Sequence, residues 1–223
     1  MKTWLLIVCI SFSSSSFGQI NFSVATDASV IRNFSPKQKF TAFGQALRTV
    51  FHFTPKENLY LWLNYFTPGR YKNEFLATAS QPLAIPQVYR FMASGELSIR
   101  HLSIGWQHYF MGAHNAETGV NIYGLAGFGF LFAKVSNSFS LPLDTAMYTS
   151  SIIEGNGKFK RLTFDAGVGA ELPVGGNIFL YSDLRTFLPA SNQTSGYLHS
   201  QRNVPVALIF SAGLRIFFDF TVY

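Results

Sequence analysis

The chain has 223 residues and a formal charge of +6, from 17 Lys and Arg against 11 Asp and Glu. Charged residues make up 13% and aromatics 17% of it. Soluble domains usually carry about a quarter charged residues, so an ordinary soluble surface is disfavoured. The basic residues are scattered without a run, which argues against a nucleic-acid partner. Cys9 is the only cysteine, so nothing beyond the N-terminal segment can form a disulfide, a thiolate metal site or a cysteine nucleophile.

Met1-Lys2-Thr3, the apolar run Trp4–Ile10 and the serine-rich stretch ending Ser16-Phe17-Gly18 have the form of a secretory signal peptide over 1–18. The apolar run is too short to span a bilayer as a helix, and no later run is long enough. The remaining residues, 19–223, fit a single domain.

The pattern after the leader is alternation. The first segment, Ile20–Arg32, has Ile20, Phe22, Val24, Ala28 and Val30 in one register and Asn21, Ser23, Ala25, Asp27 and Ser29 in the other. The second is Phe40–Phe53. The third, Leu59–Phe66, aligns Leu59, Leu61, Leu63 and Tyr65. In the fourth, Glu96–Phe110, Leu97 and Ile99 share a register but Leu102, Ile104 and Trp106 occupy the other, which predicts a β-bulge near Arg100-His101. The fifth is Val120–Val135. The sixth, Arg161–Leu172, sets Leu162, Phe164, Ala166, Val168, Ala170 and Leu172 against Arg161, Thr163, Asp165, Gly167, Gly169 and Glu171. The seventh is Asn177–Leu188 and the eighth Pro205–Phe220. Successive strand residues point to opposite faces, so these segments predict strands with one apolar and one polar face.

The connections alternate too. Thr54–Asn58, Met111–Gly119 and Pro173–Asn177 are short, whereas Thr67–Gly95, Ser136–Lys158 and Pro189–Pro205 are long. The first, Asn33–Lys39, breaks the pattern by being short. Eight alternating segments, this loop asymmetry and an export signal predict an all-β, eight-stranded antiparallel up-and-down transmembrane barrel. Aromatic side chains near strand ends are expected at the membrane interfaces: Tyr60, Trp62 and Tyr65, then Trp106, Tyr109 and Phe110, then Phe217, Phe218 and Phe220.

On these features the chain resembles the small eight-stranded outer-membrane β-barrel proteins of the OmpA/OmpX type, a porin-like family. The last strand, Val206–Phe218, looks like that family's C-terminal sorting signal, although Asp219-Phe220-Thr221-Val222-Tyr223 follow it. The resemblance implies an outer-membrane location in a Gram-negative-type envelope, both termini periplasmic, with lipid and the barrel-assembly machinery as partners. It also implies surface loops available to a ligand or envelope protein.

The polar registers carry Arg48, Arg100, Arg161, Arg185 and Arg215 against Asp27, Glu96, Asp165, Glu171 and Asp183. An eight-stranded barrel has an interior that side chains just fill, and charges there must be paired. The expectation is a plugged lumen cross-linked by these ten residues, the alternative being a narrow pore gated by them. Gly124, Gly127 and Gly129 are expected to make room inside the barrel.

One arrangement invites a catalytic reading. His101 and Ser103 are two apart on a strand, hence on one face, as a base and nucleophile would be. This looks like the His-x-Ser element of outer-membrane lipid A deacylases, with Glu117 the nearest candidate to orient the histidine. That family has Asn after the Ser, where this chain has Ile104. His52, His101, His108, His114 and His199 lack metal-ligand spacing, and no cofactor or metal is expected. The preferred reading is a non-enzymatic anchor that displays surface loops for adhesion, envelope integrity or partner binding. The competing readings are the pore, the deacylase and a soluble periplasmic lipid-binding barrel.

Overall fold

The computed structural model describes residues 21–190, 194–200 and 206–219. The expected signal peptide and the residues after Asp219 lie outside the described residues. Nine strands and no helix are present among the described residues: β1 (Asn21–Asn33), β2 (Phe40–His52), β3 (Glu57–Ala79), β4 (Val88–Met111), β5 (Asn121–Phe139), β6 (Tyr148–Ser150), β7 (Gly155–Gly175), β8 (Ile178–Pro189) and β9 (Ala207–Phe218). Eight of them form a closed antiparallel ring in the order β2-β1-β9-β8-β7-β5-β4-β3, with β3 pairing back onto β2. Where all eight strands are present, closure leaves no sheet edge, so the ring's backbone groups are satisfied internally, as a bilayer core demands. The ninth strand, β6, pairs only with the far end of β3, Ala77 opposite Ser150.

The alternation resolves into a transmembrane barrel with an apolar outside. Leu47, Leu61, Leu63, Ile104, Phe128, Phe130, Leu162, Leu180 and Leu214 are exposed on the outer wall, while Arg48, Trp62, Ser103, Thr163, Tyr181 and Arg215 are buried within. Gly105 and Gly127 pair across β4 and β5. A Cβ on either would come within 2.5–2.6 Å of the Tyr60 hydroxyl, so these glycines make room for that side chain in the lumen. Gly129 does the same beneath the His101 ring. Gly124 differs from its expected role, because the outward Phe110 ring packs over it.

Three expectations are corrected. First, β4 runs without a register shift at Arg100-His101; its one irregularity against β5 lies at Tyr109/Met111. Leu97 and Ile99 face inward together with His101 and Ser103 because the polarity of the two faces inverts along the wall. Below this level the inside is polar and the outside apolar. Above it Ile31, Phe66, Ile99, Leu131, Phe187 and Ile209 fill the interior as one apolar cluster, while Arg32, Arg100, Lys134 and Lys160 point outward.

Second, most of the expected loop Thr67–Gly95 and nearly half of Ser136–Lys158 are strand. β3, β4, β5 and β7 have 23, 24, 19 and 21 residues, against 12 or 13 for β1, β2, β8 and β9. A spanning strand needs about 9–11 residues. The surplus of roughly ten residues carries one side of the barrel about 30 Å further, at 3.3 Å per residue. Pro68 did not end β3, because a bulge between Phe66 and Gly69 absorbs the residue that cannot donate to the ladder. This raised wall has its own core of Phe75, Ala77, Phe91, Ala93 and Ile152.

Third, Tyr60, Trp62, Tyr109 and Phe217 are not interfacial. All four are buried in the lumen, leaving Tyr65, Trp106, Phe110 and Phe218 on the outer wall. Trp and Tyr carry both an apolar body and a polar tip, so either face accepts them.

Candidate functional site

The lumen gathers most of the charged residues anticipated from the polar register. Asp27, Arg48, Arg161, Asp165, Glu171, Asp183, Arg185 and Arg215 are all buried, four cations against four anions. Glu96 and Arg100 are on the outer wall instead. They belong to the part of β4 where the faces have inverted, and Glu96 pairs with exposed Arg70 at 2.7 Å.

The lattice is less direct than charge counting suggested. Arg215 is held bidentately by Glu171 (Nε to Oε2, 3.0 Å; Nη2 to Oε1, 2.7 Å) and also donates to Ser23 Oγ and the His114 carbonyl, both at 2.7 Å. The Tyr109 hydroxyl donates to Glu171 as well, at 2.7 Å. Arg48 reaches Asp183 at 3.3 Å, with its guanidinium 4.3 Å from the Tyr181 ring centre and 4.6 Å from that of Trp62. Arg185 rests against the same Trp62 ring and donates to Asn64 Oδ1 at 3.2 Å. Asp27 and Asp183 accept from Tyr181 and Tyr123, at 2.8 and 2.5 Å. Thus two Arg–carboxylate pairs in the lumen are direct among the described residues. Phenols, hydroxyls and indole faces satisfy much of the rest, through charge-assisted hydrogen bonds and cation–π contact. Sequence reasoning missed Trp62, Tyr109, Tyr123 and Tyr181 as members. Tyr123 and Tyr181 stood in the polar register, which was the available signal.

Residues from the connections pack into both ends of the lumen. At the short-turn end His114, from the β4–β5 connection, stacks on His52 with ring centres 4.1 Å apart. Its ring is buried, and burial pushes its pKa below the ordinary imidazole value. His52 is hydrogen-bonded by Ser23 and Asn58, each at 2.6 Å. At the opposite end the segment 194–200 folds into the mouth. Leu198 joins the apolar cluster, Asn137 Nδ2 donates to the Tyr197 carbonyl at 2.8 Å, and Ser200 Oγ donates to Gln38 Oε1 at 2.7 Å. His199 accepts from Asn73 Nδ2 at 3.0 Å, with Tyr71 and Phe75 rings edge-on to it.

The catalytic candidates do not assemble. His101 and Ser103 face the lumen, each 2% exposed. His101 Nε2 pairs with Thr163 Oγ1 at 2.9 Å and lies 3.4 Å from Asp165, rather than addressing Ser103. Glu117 is exposed in the short-turn connection after β4. The ten residues from His101 to Met111 alone carry the strand about 33 Å toward that turn, at 3.3 Å per residue. An acyl-transfer site for membrane lipid would need these groups on the lipid-facing wall, which the register of β4 excludes for His101 and Ser103.

Two outcomes are expected from this geometry. Arg215→Met strands the buried Glu171 carboxylate and should lower unfolding free energy by about 3–5 kcal/mol, read as a lower urea midpoint in lipid vesicles. Arg215→Met with Glu171→Leu should recover much of that loss; no recovery would mean the pairing itself is not what holds this layer. The second concerns pH. Burial holds His199 at about 4, below its ordinary 6.5, so the unfolded segment binds a proton that the closed one does not between those values. Closure of the mouth is therefore unaffected above pH 6.5 and weakens as pH falls toward 4. An environment-sensitive fluorophore on a Thr194→Cys variant should report this step, and His199→Phe should abolish it.

Neither a protein-family model nor a curated protein matches the sequence. Solved structures do match. Neisserial surface protein A is 14% identical with a TM-score of 0.52, over 88% of this chain and 97% of that one. A major outer membrane protein from Thermus thermophilus is 15% identical with a TM-score of 0.52, over 88% and 99%. The outer membrane protein OprG from Pseudomonas aeruginosa is 10% identical with a TM-score of 0.51, over 89% and 96%. Sequence identities this low carry the fold and no activity. The chain has the fold of the small eight-stranded outer-membrane β-barrels of the OmpA/OmpX type.

Proposed function

We propose that the chain is an integral outer-membrane barrel that conducts no solute and serves as a non-enzymatic anchor for the raised wall of β3, β4, β5 and β7. Both termini face the periplasm in this reading, and the long-connection end faces outward. The observation that carries it is the filled lumen. Trp62, Arg48 and Arg215 are among its largest fully buried side chains, and His114 and Leu198 pack into its two ends. A barrel filled through its length supplies rigidity and no path.

The connection 80–87 at the end of the wall presents Leu83 and Ile85, each 92% exposed. Two highly exposed branched side chains held on a rigid support favour contact with a partner over solvation alone. Adhesion or docking of another envelope component fits this surface.

Purified protein in a planar bilayer should give no reproducible single-channel steps at voltages where a known porin conducts. Discrete, reproducible steps would replace the anchor with the narrow pore gated by Arg48 and Arg185.

A further inference from the structure

The outer wall carries a cluster of cations where the apolar belt ends. Two rows of paired residues cross β4, β5 and β7 there: Arg100 opposite Phe132 opposite Lys160, and Ser98 opposite Lys134 opposite Lys158. Paired residues on adjacent strands are about 4.5–5.5 Å apart, so Lys134 and Lys158 stand side by side, an arrangement of like charges that is unfavourable in isolation. None of Arg100, Lys134, Lys158 and Lys160 has an ion-pair partner among the described residues. The nearest acid along β4, Glu96, is engaged by Arg70.

The cluster is shaped as well as charged. The four cations, with Tyr65 and Phe132, line a groove of ≈ 760 Å³ on the outer wall. Arg100 lies 5.5 Å from the Tyr65 ring centre and Lys160 lies 5.8 Å from that of Phe132. Immediately below, toward the short-turn end, Leu102, Phe130, Leu162, Phe128 and Phe164 are exposed. A molecule seated here meets positive charge at one end and an apolar wall at the other.

We propose that this groove binds the phosphorylated headgroup of an outer-leaflet lipid, with its acyl chains lying along Phe130, Leu102 and Leu162. Four unpaired cations match a headgroup bearing two phosphates, and the adjoining apolar belt supplies what a free anion would not use. Cations near a membrane surface gain from anionic lipid, and a charge-dense headgroup in a desolvating groove gains more. The site rests on the proposed orientation, in which the long-connection end reaches the outer leaflet.

The test is native mass spectrometry of the detergent-solubilised full chain with a doubly phosphorylated, hexa-acylated diglucosamine lipid and with the same lipid stripped of its phosphates. The folded protein should retain the phosphorylated lipid at least about tenfold better, as the loss of several charge contacts implies. Lys134→Gln/Lys158→Gln/Lys160→Gln should lose that preference, while the charge-matched Arg70→Gln/Lys72→Gln/Arg90→Gln should keep it. Heat-modifiable gel migration establishes that each variant is folded. Equal retention of the two lipids, equal loss in both triple variants, or displacement by equimolar inorganic phosphate would overturn the proposal. Micelles have no leaflets, so this result is independent of orientation. Labelling of a Ser80→Cys variant on intact cells with a membrane-impermeant reagent tests the orientation separately; absence of labelling would place the groove in the wrong leaflet whatever the lipid result.

Discussion

A charge inside an eight-stranded barrel has no room for its hydration shell, and the rest of the structure answers to that constraint. Four guanidinium groups and four carboxylates share the lumen, and each is buried. Direct pairing alone does not satisfy them, because only Arg48 with Asp183 and Arg215 with Glu171 meet as Arg–carboxylate pairs there among the described residues. Part of the remaining demand is met by side chains with one polar edge and one flat face, while Arg48 Nε and Nη2, Arg185 Nε and Asp165 Oδ2 find no hydrogen-bond partner among the described residues. Tyr123 and Tyr181 donate hydroxyls to carboxylates, while Trp62 offers its ring to both Arg48 and Arg185. The aromatic composition therefore has two origins: rings outside for lipid, rings inside for charge.

The same constraint explains which features could be read from the residues in order. The register of Arg161, Asp165 and Glu171 was legible because strand periodicity is two and one face was wholly apolar. Glu96 and Arg100 were misplaced because they lie past the inversion, where the same periodicity persists with its faces exchanged. Leu97 and Ile99 announced that exchange, but a bulge explains a phase change equally well from sequence alone. The contributions of His114 and Leu198 were illegible for a different reason. Both come from connections, whose conformation follows no period and whose burial depends on strands far away in the chain.

The inversion also turns a membrane barrel into something else without a break in the sheet. Below it, polar groups are buried in the interior; above it, Phe75, Phe91 and Ile152 make a buried apolar core. Exposed pairs such as Arg70 with Glu96 sit on its surface and contribute little stability, roughly 0–1 kcal/mol each. Rigidity of the raised wall comes from ladder continuity, since β3 and β4 stay paired from Glu57 opposite His108 to Thr78 opposite Val88.

The unequal strand lengths bear on how the ring shuts. β1 and β9 must find each other across almost the whole chain, and they are among its shorter barrel strands, with pairs running from Phe22 opposite Phe218 to Asn33 opposite Ala207. The long ladders join neighbours in the chain, β3 to β4, β4 to β5 and β5 to β7. Loop-closure entropy grows with the chain separation of the strands that pair, so the seam between β1 and β9 costs the most to close. That seam, where a one-residue slip would turn Arg215 toward lipid, is left with few residues to align.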